Sequence, residues 1–120
     1  MSQAEMFPLF LEMGMGVDLV GEDMTKAAAR AVREAINRTS LPGIGKLVRD
    51  GDRANMRVEA TVAVPRPDEV DVAAVAAEFP YGSVTVLPVQ GGLRTPNGTD
   101  YGPGRDHMVV AVAVIAVGAL

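Results

Sequence analysis

A chain of 120 residues with a net charge of −4, no Trp and no dominant cluster of Lys or Arg has the size of one domain and suits nucleic acid poorly, because phosphates need clustered cations. The lack of Cys excludes disulfides, thiolate metal sites and cysteine nucleophiles, and a single His leaves no multi-His site within one copy, so neither metal nor cofactor is expected. Apolar residues at 48% exclude disorder, but aromatics at 4% leave a core of Val, Ala, Leu and Met, small side chains that bury little area each and hint at further burial between subunits.

The opening Met-Ser-Gln-Ala-Glu is acidic and short, without the pattern of a signal peptide. Residues 6–13 read as a strand, with Phe7, Leu9, Leu11 and Met13 alternating against Pro8, Phe10 and Glu12. Gly14-Met15-Gly16-Val17-Asp18 is expected to break it. Residues 23–38 form the clearest helix: Met24, Ala27, Ala28, Ala31, Val32, Ala35 and Ile36 make one apolar stripe, and Glu22 and Asp23 stand at its start. Residues 44–55 fit a short strand or a loop. Residues 56–64 are a strand with Met56, Val58, Ala60, Val62 and Val64 on one side and Arg57, Glu59 and Thr61 on the other. A second helix is predicted from Asp68 to about Glu78, with Val70, Ala73, Ala74 and Ala77 inward. Residues 83–89 are a further strand. A long loop from Gln90 to His107 holds five Gly and two Pro, and loops of that length are usually functional or disordered. The last strand, 108–117, is apolar on both faces. The apolar run to Leu120 has 13 residues, whereas a membrane span needs about 20, so no membrane association and a cytoplasmic location are expected.

The order β-α-(β)-β-α-β-β predicts one α+β domain over residues 1–120. It is a two-layer sandwich with a mostly antiparallel sheet of four to five strands and two helices on one face, as in a ferredoxin-like or chorismate-mutase-like plait. The second face of the sheet would then be wet, yet the last strand is apolar on both sides and Phe10 points away from its own strand's main stripe. Another copy of the chain is the simplest cover, so a homo-oligomer is expected.

Three groups of residues could carry chemistry. Gly14, Gly16 and Gly21 surround Asp18 in a glycine turn; Leu19 stands where a dinucleotide fingerprint needs Gly. Such a turn permits close backbone approach to a ligand and leads toward a helix start, although a turn aspartate also caps its own backbone. Gly91 and Gly92 open the second group, with Arg94, Asn97, Asp100, Tyr101, Arg105, Asp106 and His107 beyond them. His107 has the intrinsic pKa for acid–base work. The third group is the cations Lys26, Lys46 and Arg49; Lys26 lies near Asp18 in sequence, in a helix turn where local stability does not explain a cation. Glu12 is the one acid within the first strand and is expected on the face that a partner covers. No spacing fits a Ser-His-Asp triad.

The run Gly14-Met15-Gly16-Val17-Asp18-Leu19-Val20-Gly21, with Thr25-Lys26-Ala27-Ala28, Pro80-Tyr81-Gly82 and Gly91-Gly92-Leu93, resembles the small Lin-type conserved hypothetical proteins, from about Phe7 to Val117. That family carries a GxGxDxHG signature and has no established function; Val20 stands at the signature's His. The resemblance implies a site at Gly14, Gly16, Asp18 and Gly21. More distantly, the chain is similar to one repeat of the ring-opening cyclic amide hydrolases, such as cyanuric acid hydrolase and barbiturase. Their three concatenated repeats imply a homotrimer, or a multiple of one, for the unfused chain. Gln90 occupies the place of the Ser nucleophile that those enzymes use before Gly-Gly.

These readings converge on a small-molecule site between subunits, with the 90–107 loop of a neighbour facing Asp18 and Lys26. If the site is hydrolytic toward a cyclic amide, an imide or a similar carbonyl-rich metabolite, Asp18 or Glu12 is the expected base, and Lys26 or Arg105 the oxyanion partner. The alternative is a non-catalytic assembly or regulatory module.

Overall fold

The computed structural model describes residues 6–43, 56–80, 82–99 and 101–119. The elements follow the order β1 (Phe7–Asp18), α1 (Met24–Arg38), β2 (Met56–Val64), a 3-10 turn (Pro67–Glu69), α2 (Val72–Ala76), β3 (Ser83–Gln90), β4 (Leu93–Pro96) and β5 (His107–Ala119). The stretch 44–55, with Lys46 and Arg49, lies outside the described residues, as do Tyr81 and Asp100.

The sheet has the order β1-β5-β2-β3. Strand β5 runs antiparallel to β1, β2 and β4, while β2 and β3 are parallel. Among the described strands, β1, β2, β3 and β4 therefore all run one way and β5 alone returns. Both helices lie on one face, as the sequence predicts. Strand β4 is the exception to the predicted long loop. The chain leaves β3 at Gly91, whose N–H bonds Val64 O at 3.0 Å, and crosses the end of β2 to pair with β5. Gly92 makes the crossing at φ +69, and a Cβ there would stand 2.2 Å from Val110 O.

Helix α1 forms where its stripe predicts. Asp23 caps it by accepting the Lys26 N–H at 3.0 Å, and Met24, Ala27, Ala28, Ala31, Val32 and Ala35 are buried. It packs on β1 at unusually short range. A Cβ added to Gly14 would come within 2.4 Å of Ala31 O, and one added to Gly16 within 2.3 Å of Ala31 N. The expected break at Gly14 is thus corrected: β1 runs on through both glycines to Asp18. What they accommodate is the helix backbone. Helix α2 is shorter than predicted, because Asp71 caps it late by accepting the N–H groups of Ala73 and Ala74. Val75 is buried there, whereas the expected inward residues Ala73, Ala74 and Ala77 are exposed.

The two stripes of β1 are also exchanged relative to expectation. Phe10, Glu12, Gly14, Gly16 and Asp18 face the helices, and Phe10 packs on the core. Phe7, Leu9, Leu11 and Met13 lie on the exposed side. Alternation shows which residues share a face; the two glycines decide which face the helix can approach. The core itself is Met56, Val58, Ala60, Val62 and Val64 of β2 with Val109, Ala111, Ala113, Ile115 and Val117 of β5, under α1 and Val75.

Among the described residues, no helix lies on the other face of the sheet. Register places Met13 of β1, Val114 of β5, Thr61 of β2 and Leu87 of β3 in one row, and Met15, Val112, Ala63 and Val89 in the next. Met13 is 58% exposed, Met15 50%, Val112 44%, Val114 40%, and Leu87 and Val89 41% each.

Candidate functional site

Because β1, β2 and β3 run the same way, their C-terminal ends gather at one end of the sheet. The loops there bring together most of the residues singled out in the sequence. Asp18 is 6% exposed. Its Oδ2 accepts the Asp23 N–H at 2.8 Å, which folds the Leu19–Glu22 turn back onto the end of β1. The cation that approaches it is Arg30, 4.0 Å away, rather than Lys26, whose side chain is exposed. Gly21 sits against the same carboxylate, where a Cβ would lie 3.1 Å from Oδ2. Val20, at the signature's His position, is half-buried in this turn.

Beside Asp18 lies a charged cluster whose members are far apart in sequence. Glu22, at φ +50, receives Arg94 through Nε at 2.6 Å and Nη2 at 3.3 Å, and Arg66 Nη1 at 3.5 Å. The Arg94 hydrogen bond, helped by Arg66, holds the Glu22 carboxyl below its ordinary range. Arg66 also donates to Glu69 at 2.7 Å and to Glu22 O at 3.3 Å. Asn97 Nδ2 donates to Leu19 O at 2.8 Å and to Arg105 O at 3.2 Å. His107 pairs with Asp106 at 2.9 Å, and this bond holds the Asp106 carboxyl down. The Arg105 side chain is exposed.

The 90–107 segment therefore meets the β1–α1 turn within the same chain, and the expected contact with a neighbour's loop is not needed to bring them together. The close approach that Gly91 and Gly92 permit is likewise used by the chain itself: a Cβ on Gly91 would stand 2.9 Å from Ala63 Cβ. What the arrangement does chemically is fasten three loops to one another through paired charges.

Glu12 is far from this cluster. Six residues of strand separate it from Asp18, roughly 20 Å at about 3.3 Å per residue. Its expected place on the partner-covered face is corrected, since even-numbered residues of β1 from Phe10 on face the helices. It lines a cavity of about 90 Å³ with Ile36, Thr39, Leu41, Phe79 and Val117 among others. Burial raises its pKa, and the Thr39 hydroxyl pulls it partly back.

Two charged groups on β2 escaped the sequence reading. Glu59 is 4% exposed on the face away from α1, and its Oε2, like Arg57 Nε, has no hydrogen-bond partner among the described residues. The available signal was an acid at the centre of an apolar alternation in what proves to be an inner strand. Among the described residues no group of three or more His, Asp or Glu could hold a metal ion, and no helix is long and apolar enough to cross a membrane.

Comparison with solved structures finds similar chains, among them one that is covered almost completely. A crystal structure of an FtsZ-like protein of unknown function from Nostoc punctiforme superimposes with a TM-score of 0.84 at 35% identity, over 93% of this chain and 94% of that one. No curated protein matches the chain. The profile of a conserved hypothetical protein family (Lin0512_fam) matches residues 8–117, and with it the glycine signature acquires a physical meaning: Gly14 and Gly16 seat α1, and Asp18 with Gly21 folds the turn that leads into it. The chain belongs to this family of conserved hypothetical proteins.

Proposed function

We propose that the protein is a homo-oligomeric assembly module whose copies meet through the helix-free face of the sheet. The observation that carries this reading is the set of large apolar side chains in register there, led by Leu11, Met13, Met15, Leu87, Val112 and Val114. Four strands at about 4.8 Å spacing and about eight residues at 3.3 Å rise outline roughly 500 Å² per copy, within which Glu59 is already buried. Two copies face to face would bury roughly 1,000 Å² or more, the size at which a specific interface becomes stable. Sheets stack in this way about 10 Å apart.

The hydrolytic reading has less support. Asp18 is committed to the Asp23 N–H, and Glu12 lies at the far end of β1 from Lys26 and Arg105. A small-molecule site at the contact would have to be completed by the second copy.

Light scattering after size exclusion tests the proposal. The wild-type chain is expected at a multiple of its 12.6 kDa mass, and Val114→Lys at the single mass with its helix content intact. A wild-type monomer at micromolar concentration would sink the reading.

A further inference from the structure

The edges of this sheet are as informative as its face. Among the described strands β1 is one edge, and β3 with the four-residue β4 beyond the end of β2 makes the other. An edge strand normally presents a row of unpaired N–H and C=O groups, a template for strand addition. On β1 one group at each of three alternate residues in that row is taken by a side chain of α1. Arg30 Nη1 donates to Val17 O at 2.6 Å, Glu34 Oε1 accepts the Met15 N–H at 3.0 Å, and Arg38 Nη2 donates to Met13 O at 2.9 Å.

The match is one of repeats. Residues 30, 34 and 38 climb α1 in steps of four, about 6.0 Å each. Residues 17, 15 and 13 descend β1 in steps of two, about 6.6 Å each. One helix stripe can therefore serve alternate residues of an antiparallel strand over its whole contact. The short helix-to-strand distance set by Gly14 and Gly16 brings these side chains within reach. The first half of β1 is blunted differently, by Pro8 and the irregularity in register between Pro8 and Phe10. Strand β3 carries Pro88, which has no N–H to offer a further strand.

We infer that both edges of the sheet are closed to strand addition, so that assembly is finite: a second copy packs on the open face, and the sheet does not grow sideways. This rests on the face-to-face reading for its partner, a second copy of the chain, but the closure of the edges is tested separately. The variant Glu34→Ala/Arg38→Ala/Pro88→Thr, placed in the Val114→Lys background, leaves the face disabled and the edges opened. It is expected to form species many times the single mass that bind thioflavin, while Val114→Lys alone stays at the single mass. Circular dichroism taken before assembly checks that the variant folds. The edge substitutions placed singly, Arg38→Ala and Pro88→Thr, give a second measurement if the triple variant does not fold. A folded edge-opened chain that remains at the single mass, without thioflavin binding, overturns the inference. Val114→Lys that keeps the wild-type mass overturns the face-to-face reading instead.

Discussion

Along the second half of β1 the two faces use opposite sizes of side chain. Toward α1 the contacts are Gly14 and Gly16 against Ala27, Ala31 and Ala35, a meeting of backbones. Away from it stand Phe7, Leu11, Met13, Met15 and Leu87, all exposed. In most small domains the large apolar residues are inside. Here a helix seated so low leaves no room for them between the layers, and they collect on the side without a helix. Along this strand small residues mark the interior and large ones the exposed face.

The largest effect is expected from Gly16→Val. Its new side chain would meet Ala27 O and Ala31 N, backbone atoms that cannot swing aside. A loss upwards of roughly 3 kcal/mol is expected, read as failure to fold or a collapsed denaturation midpoint. Asp18→Ala comes next. It strips the Asp23 N–H of its partner and should cost about 2 kcal/mol in denaturant titration. On the open face Leu87→Ser, at 41% exposure, should leave the monomer's own stability within about 0.5 kcal/mol yet weaken self-association, seen as a dissociation that depends on concentration.

The smallest effects concern pH. Glu22 has a lowered pKa in the folded chain. Its contribution is present above the unfolded value of about 4.3 and is lost as pH falls through the lower folded value. Glu12 is raised, so its favourable contribution is full below the unfolded value and is lost as pH rises through the higher folded one. Melting temperature against pH should therefore fall less steeply on acidification for Glu22→Gln than for the wild type. Glu12→Gln should instead raise the melting temperature near neutrality. The opposite order of the two curves would show that the cluster and the cavity do not act as described.

The fold was legible wherever one period persisted over a whole element. The stripe from Met24 to Ala35 and the alternation from Met56 to Val64 each specify an element and its buried side. The stripes of β1 were visible, but nothing local in them says which side receives a helix, and Gly14 and Gly16 read equally well as a turn or as a seat. Strand β4 was hidden because Leu93 to Pro96 is short, holds Arg94 and ends in proline. The charged cluster was hidden by distance, since Glu22 and Arg94 lie 72 positions apart. Asp18 was legible as a turn residue; Glu59, inside an alternation that looked ordinary, was not.

Strand β5 holds a place in time as well as in space. It is the partner of β1, β2 and β4, and Phe7 pairs with Ala119 across almost the whole sequence. On the ribosome, α1 and β1 emerge early, but the strand that joins them to β2 is made after all of these. Until then, β1 has no neighbour on its inner side, and the apolar rows wait unpaired. Contacts this remote in sequence slow folding, so the newly made chain should pass through a long exposed interval that ends in one late zipping step.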